Sequence, residues 1–76
     1  MEQKVREIMS EILQLDPDSI EGSTSHDNTA SWDSLNHINL VTALEQEFGI
    51  TFEVEEIETM LSFDDILNVL ASKQVR

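Results

Sequence analysis

The stretch Trp32-Asp33-Ser34-Leu35-Asn36-His37-Ile38-Asn39-Leu40-Val41, running on to Phe48, decides how the chain is read. A polar loop becomes a strongly periodic helix here, and a serine stands at the change. Taking Ser34 as zero and advancing about 100° per residue, His37, Leu40, Val41, Leu44 and Phe48 fall in one arc, at roughly 240° to 340°. That arc is predicted to face a core. Ile38, Glu45, Thr42 and Leu35 fall in a second arc, at roughly 20° to 100°, beside the serine. It places Leu35 and Ile38 on a face the core need not use.

A helix N-terminus presents unpaired N–H groups and the positive end of the macrodipole, so a phosphate is favoured there. Ser34 is therefore chemically suited to carry a phosphodiester. The plainer alternative is that Asp33 or Ser34 serves only as an N-cap. Spacing alone leaves both open.

Working outward, Glu2 to Leu15 is predicted as an amphipathic helix with Val5, Ile8, Met9, Ile12 and Leu13 on one face and Leu15 at its edge. Asp16-Pro17 ends it, because the residue before proline is pushed out of helical geometry. Asp16 then caps a short turn that delivers Ile20 to the core. Glu21 to Ser31 is a polar loop, long for a helical bundle, and long loops are usually functional or mobile. Gly49 closes the central helix as its C-cap. Ile50, Phe52 and Val54 alternate as a short strand would, but nothing offers a second strand, so a brief helix over Glu53 to Met60 is preferred. Ser62 with Asp65 resembles a capping box, and Phe63, Ile66, Leu67 and Leu70 give the stripe of a final helix ending near Ser72. The expectation is all-α, a small four-helix bundle with a short third helix, residues 1–76 forming a single domain.

Asp33-Ser34-Leu35, followed by the apolar-patterned run Leu40-Val41-Thr42-Ala43-Leu44-Glu45-Gln46-Glu47-Phe48-Gly49-Ile50, resembles the acyl carrier protein family over nearly the whole chain. The resemblance implies that Ser34 carries 4′-phosphopantetheine, delivered from coenzyme A by a phosphopantetheinyl transferase. The terminal thiol of that arm holds acyl, aminoacyl or hydroxyacyl groups as thioesters. It also implies a carrier without catalysis of its own, in which Asp33 supports the attachment site. Leu35, Ile38 and Thr42 form a docking face fringed by Glu45, Glu47 and the acids of 53–58. The implied partners are the transferase, an acyl- or aminoacyl-activating ligase, and acyl-transfer or condensing enzymes with basic docking patches. If the cargo is an acyl chain, the space between the central and third helices is its implied shelter. The resemblance is not complete. Fatty-acid carriers usually place a small residue ahead of the motif, where this chain has Trp32. They commonly have acids two and five places after the serine, where this chain has Asn36 and Asn39. These departures point to a free-standing carrier of a specialised pathway. An acidic helical interaction module without a prosthetic group is the alternative from another class.

Composition narrows the classes further. Seventy-six residues bury only about 60–65% of their unfolded surface, which leaves little room for a deep cleft. Without cysteine there is no disulfide framework, thiolate metal site or cysteine nucleophile. No apolar run has the length of a membrane span and no signal-peptide core is present, so a cytoplasmic monomer is expected. Ser34, His37 and Asp33 do not make a catalytic triad, because serine and histidine lie one turn apart on one helix with no oxyanion pocket in view. His37 is expected to be partly buried near the top of the bundle, Trp32 to anchor the loop, and His26 to have no role. The Asp16-to-Asp27 stretch fails as a calcium loop: its fifth residue is Ile20, its glycine is one place late, and its last acid is not glutamate. No metal is expected.

The formal charge is −12, and the only Lys or Arg residues are Lys4, Arg6, Lys73 and Arg76. Of the sixteen acids, all but Glu2 lie between Glu7 and Ser72, where no Lys or Arg occurs. Such a surface repels nucleic acid and anionic membranes and steers toward basic patches. It also makes the compact state self-repelling, with screening over about 8–10 Å at 0.1–0.15 M salt. The melting temperature is expected to rise with salt, and further with millimolar divalent cations. A thermal melt indifferent to both would show that the acids are too well spaced to matter.

Overall fold

The computed structural model describes residues 1–74, and among them four α-helices and one 3₁₀ turn carry the architecture. The helices are α1 (Glu2–Leu13), α2 (Ser34–Phe48), α3 (Val54–Thr59) and α4 (Phe63–Ser72), with the 3₁₀ turn at Pro17–Ser19. α1 lies against α2, α4 and the 3₁₀ turn. The apolar stripes predicted from periodicity meet in one core. Val5 and Met9 of α1, Leu44 of α2, and Ile66 and Leu70 of α4 are fully buried, and Leu13, Leu40, Met60 and Phe63 nearly so. Ile20 arrives from the 3₁₀ turn as expected, and Asp16 caps that turn by accepting the Asp18 N–H at 2.9 Å. None of the helices is long and apolar enough to cross a membrane.

α1 stops two residues short of the expected Leu15. Gln14 takes up the left-handed conformation, φ 55°, and Leu15 N–H closes back onto the Ser10 carbonyl at 3.0 Å. The turn is thus made before the proline can act. Gly49 closes α2 in the same left-handed way, φ 64°, where an L side chain would be strained. Over 50–54 no strand forms and α3 takes the chain up, opened by a capping box between Glu53 and Glu56.

The long loop is fastened rather than free. His26 N–H donates to Leu61 O at 3.1 Å, Phe63 N–H to Thr24 O at 2.9 Å, and Asp64 N–H to Gly22 O at 3.1 Å. These bonds form an isolated bridge between Ser25 and Ser62, laid along the start of α4. Asn28 ties the loop to itself, taking the Ser25 N–H and donating to Ser23 O.

The count of acids without a base between residues 7 and 72 needs a correction in three dimensions. Lys73, at the end of α4, reaches Glu56 of α3 at 2.8 Å and lies over the Phe52 ring, and Lys4 pairs with Glu7 at 3.6 Å. Lys73, and then the Glu53 N–H, hold the Glu56 carboxyl below its ordinary range. A carboxyl lowered by folding adds stability above its unfolded value, and this is lost as pH falls through the folded value. Glu56→Gln keeps an acceptor for Glu53 N–H but loses the charge. It is expected to melt below wild type by a constant margin above about pH 5, with the margin shrinking below about pH 4. Melts from pH 3 to 7 check this, and a margin independent of pH would assign the effect to packing.

Candidate functional site

The site is built at the start of α2. Asp33, extended at φ −96°, is the N-cap: its Oδ1 accepts the Asn36 N–H at 2.8 Å and its carbonyl accepts the His37 N–H at 2.8 Å. Ser34 is therefore the first helical residue, with an exposed side chain. Of the two residues read as possible N-caps, Asp33 is the one that caps, and the serine hydroxyl is not needed for it. First-turn N–H groups not taken by the cap, together with the macrodipole, leave positive potential at this end of the helix.

A groove of about 520 Å³ opens beside the serine, lined by His26, Trp32, Asp33, Ser34, His37, Ile38 and Leu61. Its outer rim is apolar and exposed: Leu35 is 71% and Ile38 55% accessible, and Val54, at the start of α3, and Leu61, in the link between α3 and α4, are exposed as well. Leu35, Ile38 and Thr42 all lie on the exposed side of α2, as their arc requires, and Glu47 is exposed as well. Glu45 differs from its arc neighbours. It is half-buried, and its Oε2 accepts the Phe52 N–H at 2.8 Å, so its carboxylate holds the link to α3 together.

Trp32 anchors the loop as expected, and it is 3% exposed. Its indole N–H donates to His37 Nδ1 at 3.0 Å and its ring stacks on the imidazole, 6.2 Å between centroids. An indole N–H is only a donor, so Nδ1 must be unprotonated and Nε2 carries the proton. That proton goes to the carbonyl of Ile57 in α3, 2.9 Å away. His37 is half-buried, as its arc implied, but periodicity gave no sign of its two partners. Asn36 is similarly engaged: Nδ2 donates to Ser31 O at 2.8 Å, and Asn39 donates to Asn36 Oδ1 at 3.2 Å. The Asn36–Ser31 contact, like those of His37, reaches a residue outside the helix, where spacing within α2 carries no signal. Leu61 was not singled out from sequence, Val54 was read only in a strand-like alternation, and His26, expected to have no role, lines the groove. Leu61 is brought to the groove by its carbonyl's bond to His26 N–H.

Between α2 and α3 lies the space the resemblance implies as a shelter for an acyl chain. His37 spans it, and Phe52 and Met60, which flank α3, are buried. Among the described residues, no group of three or more His, Cys, Asp or Glu side chains is disposed to hold a metal ion.

Comparison with known proteins adds to this geometry. A family model described as "Phosphopantetheine attachment site" matches residues 3–70. The acyl carrier protein of Petrotoga mobilis is 35% identical over 71 residues, covering 93% of this chain and 84% of that protein. That of Thermosynechococcus vestitus is 32% identical over 71 residues, covering 93% and 88%. That of Bdellovibrio bacteriovorus is 33% identical over 70 residues, covering 92% and 90%. A solved structure from Mycobacterium tuberculosis, provisionally described as an acyl carrier protein, superposes with a TM-score of 0.84 at 24% identity. It covers 95% of this chain and 96% of its own, and the likeness is one of fold.

Asn36→Asp tests the fastening of the loop. A carboxylate cannot donate to the Ser31 carbonyl and would face it with like polarity. The loss is expected to be about 1 kcal/mol, or roughly 4–8 °C in melting temperature. Asn39→Asp, at an exposed position, is expected to change stability by less than about 0.5 kcal/mol. Equal melts for the two variants would mean that the Asn36 bond contributes nothing.

Proposed function

The chain belongs to the acyl carrier protein family, and on that footing we propose that Ser34 is the residue that bears its prosthetic group. The group is covalent 4′-phosphopantetheine, and the protein's role is to carry acyl groups. Acyl carrier proteins are carriers and not catalysts. When attached, the arm supplies a terminal thiol on which acyl groups are held as thioesters.

One observation carries the assignment of Ser34: Asp33 takes the cap, so the hydroxyl of the first helical residue is exposed and uncommitted. The chain's own residues suit a phosphodiester there. The N-terminus of a fifteen-residue helix lies behind it, the groove beside it gives the arm a place to lie, and the apolar rim stands outside. Asp33 fixes the helix start through one carboxylate oxygen. In the proposed encounter with a phosphopantetheinyl transferase its charge faces the partner.

Leu35 and Ile38 are the proposed apolar anchors, joined by Val54 and Leu61, with Thr42 on the same face and Glu47 in the charged fringe. Glu45 takes a smaller part, because its carboxylate is engaged by Phe52 N–H. The proposed partners beyond the transferase are an acyl- or aminoacyl-activating ligase and downstream acyl-transfer or condensing enzymes with basic docking patches. The neutral Asn36 and Asn39 weaken the electrostatic steering toward primary fatty-acid enzymes, which supports a specialised pathway. Rim charges act mainly on association rate.

Incubation with coenzyme A and a promiscuous transferase is expected to add one phosphopantetheine to the wild type and none to Ser34→Ala, which should fold normally. Intact mass decides, and a loaded Ala variant would end the assignment. For the partner reading, Asn39→Glu is the clean probe, because Asn36→Asp would also loosen the loop. Elongation by a primary fatty-acid condensing enzyme is expected to be slow with the loaded wild type and faster with loaded Asn39→Glu. Wild-type turnover equal to that of a housekeeping carrier would refute the specialised reading.

A further inference from the structure

The open groove and the closed seam between α2 and α3 lie on either side of one imidazole. α3 is six residues long and contains no fully buried side chain; its apolar hold on the core is half-buried Ile57. Its other fastenings are polar. Lys73 grips Glu56, and the His37 Nε2–H bond takes the Ile57 carbonyl, near the end of the helix. Among the described residues that carbonyl is otherwise met only by the Met60 N–H at 3.4 Å, a long contact. His37 is held in turn by the Trp32 N–H and by the face of the indole. Two hydrogen bonds and one stacked ring fix its position and its tautomer.

The apolar interior flanking α2 and α3 is shielded from solvent. Leu40 and Met60 are 1% exposed, Leu44 is fully buried, and Phe52 is 5% exposed. A chain passing from Ser34 into the interior must displace His37 from Ile57 and from Trp32. That leaves an indole N–H on a residue only 3% exposed without its partner, and burying such an unsatisfied donor is costly. The groove outside the latch needs no such rupture. It already opens at Ser34, with Trp32, Ile38 and Leu61 supplying apolar wall.

We propose that His37 is a specificity-determining latch, which bonds Trp32 and Ile57 together and shuts the α2–α3 seam, so that cargo stays in the outer groove. The cargo class this favours is short or polar acyl groups, whose thioesters need no burial inside the bundle. Long apolar chains receive no shelter and remain exposed. The proposal rests on Ser34 as the attachment site.

The test loads the wild type from acetyl-coenzyme A and from octanoyl-coenzyme A with a promiscuous transferase. It compares melting temperatures and the contacts of the acyl chain seen by NMR. The two wild-type forms are expected to melt within about 1 °C of each other. The octanoyl chain should show no contacts to the methyl groups of Leu44 or Met60, and the Trp32 indole N–H resonance should be the same in both. His37→Ala removes both bonds. Its octanoyl form is expected to melt at least about 4 °C above its acetyl form, the shift that burial of one or two methylenes produces in a domain this size. His37→Gln can still donate to Ile57 and is expected to behave as wild type. A wild-type octanoyl form that melts about 4 °C higher, with contacts to Leu44 and Met60, would overturn the latch. So would an Ala variant that gains nothing or a Gln variant that gains as much as Ala. If the Ala variant does not fold, the wild-type and Gln comparisons still decide. If neither acyl group loads onto the wild type, the mass spectrum shows it at once, and the attachment reading falls together with the latch.

Discussion

A single hydrogen bond, from the Asn36 N–H to the carboxylate of Asp33 at 2.8 Å, sets the arrangement on which the site depends. An N-cap of this kind contributes only about 1 kcal/mol, yet it fixes the residue at which α2 begins. With the helix starting at Ser34, Leu35 and Ile38 turn outward, and Leu40, Val41 and Leu44 turn into the core. Asn36 and His37 then face back toward the incoming loop and meet Ser31 and Trp32. A start one residue later would make Ser34 the cap and commit its hydroxyl to a first-turn N–H. The serine's chemical freedom and the fastening of the loop have the same origin.

The acids divide between structural and exposed roles. Glu53 and Glu56 form the cap of α3, and Glu55 and Glu56 lie in its first turn. Asp64 and Asp65 occupy the first turn of α4, where negative charge is favoured by the helix dipole. Glu45 holds the chain at Phe52, and Glu56 pairs with Lys73. What remains exposed, including Glu47, Glu55 and Glu58, is the part of the −12 charge available for steering. Net charge alone therefore overstates the fringe a partner meets.

Much of this was legible because it depends on local rules. Helical periodicity identified Leu40, Val41 and Leu44 as core, and Gly49 announced the end of α2. Asp16-Pro17 marked the 3₁₀ turn, and Ser62 with Asp65 marked the start of α4, where the Ser62 Oγ does accept the Asp65 N–H at 3.0 Å. The failures are of another kind. Gln14 ends α1 by adopting a left-handed conformation that nothing in its identity requires. Glu45 shares an arc with Ile38 but reaches seven residues onward to Phe52. The bonds from Trp32 through His37 to Ile57, and from Lys73 to Glu56, join residues brought together only by tertiary packing. Periodicity gave the faces of each helix. It could not give the polar contacts between helices, and those are what close the seam beside the site.

One serine among several is made available by the position of a cap. Localising the added mass by fragmentation of the loaded wild-type protein tests this most directly. Ser31 is the informative competitor, three residues away, with an Oγ that is buried and has no hydrogen-bond partner. The expected result is a single phosphopantetheine located on Ser34, with Ser31 and every other serine unmodified. Added mass on Ser31, or shared between serines, would show that the cap at Asp33 does not determine where the arm is attached.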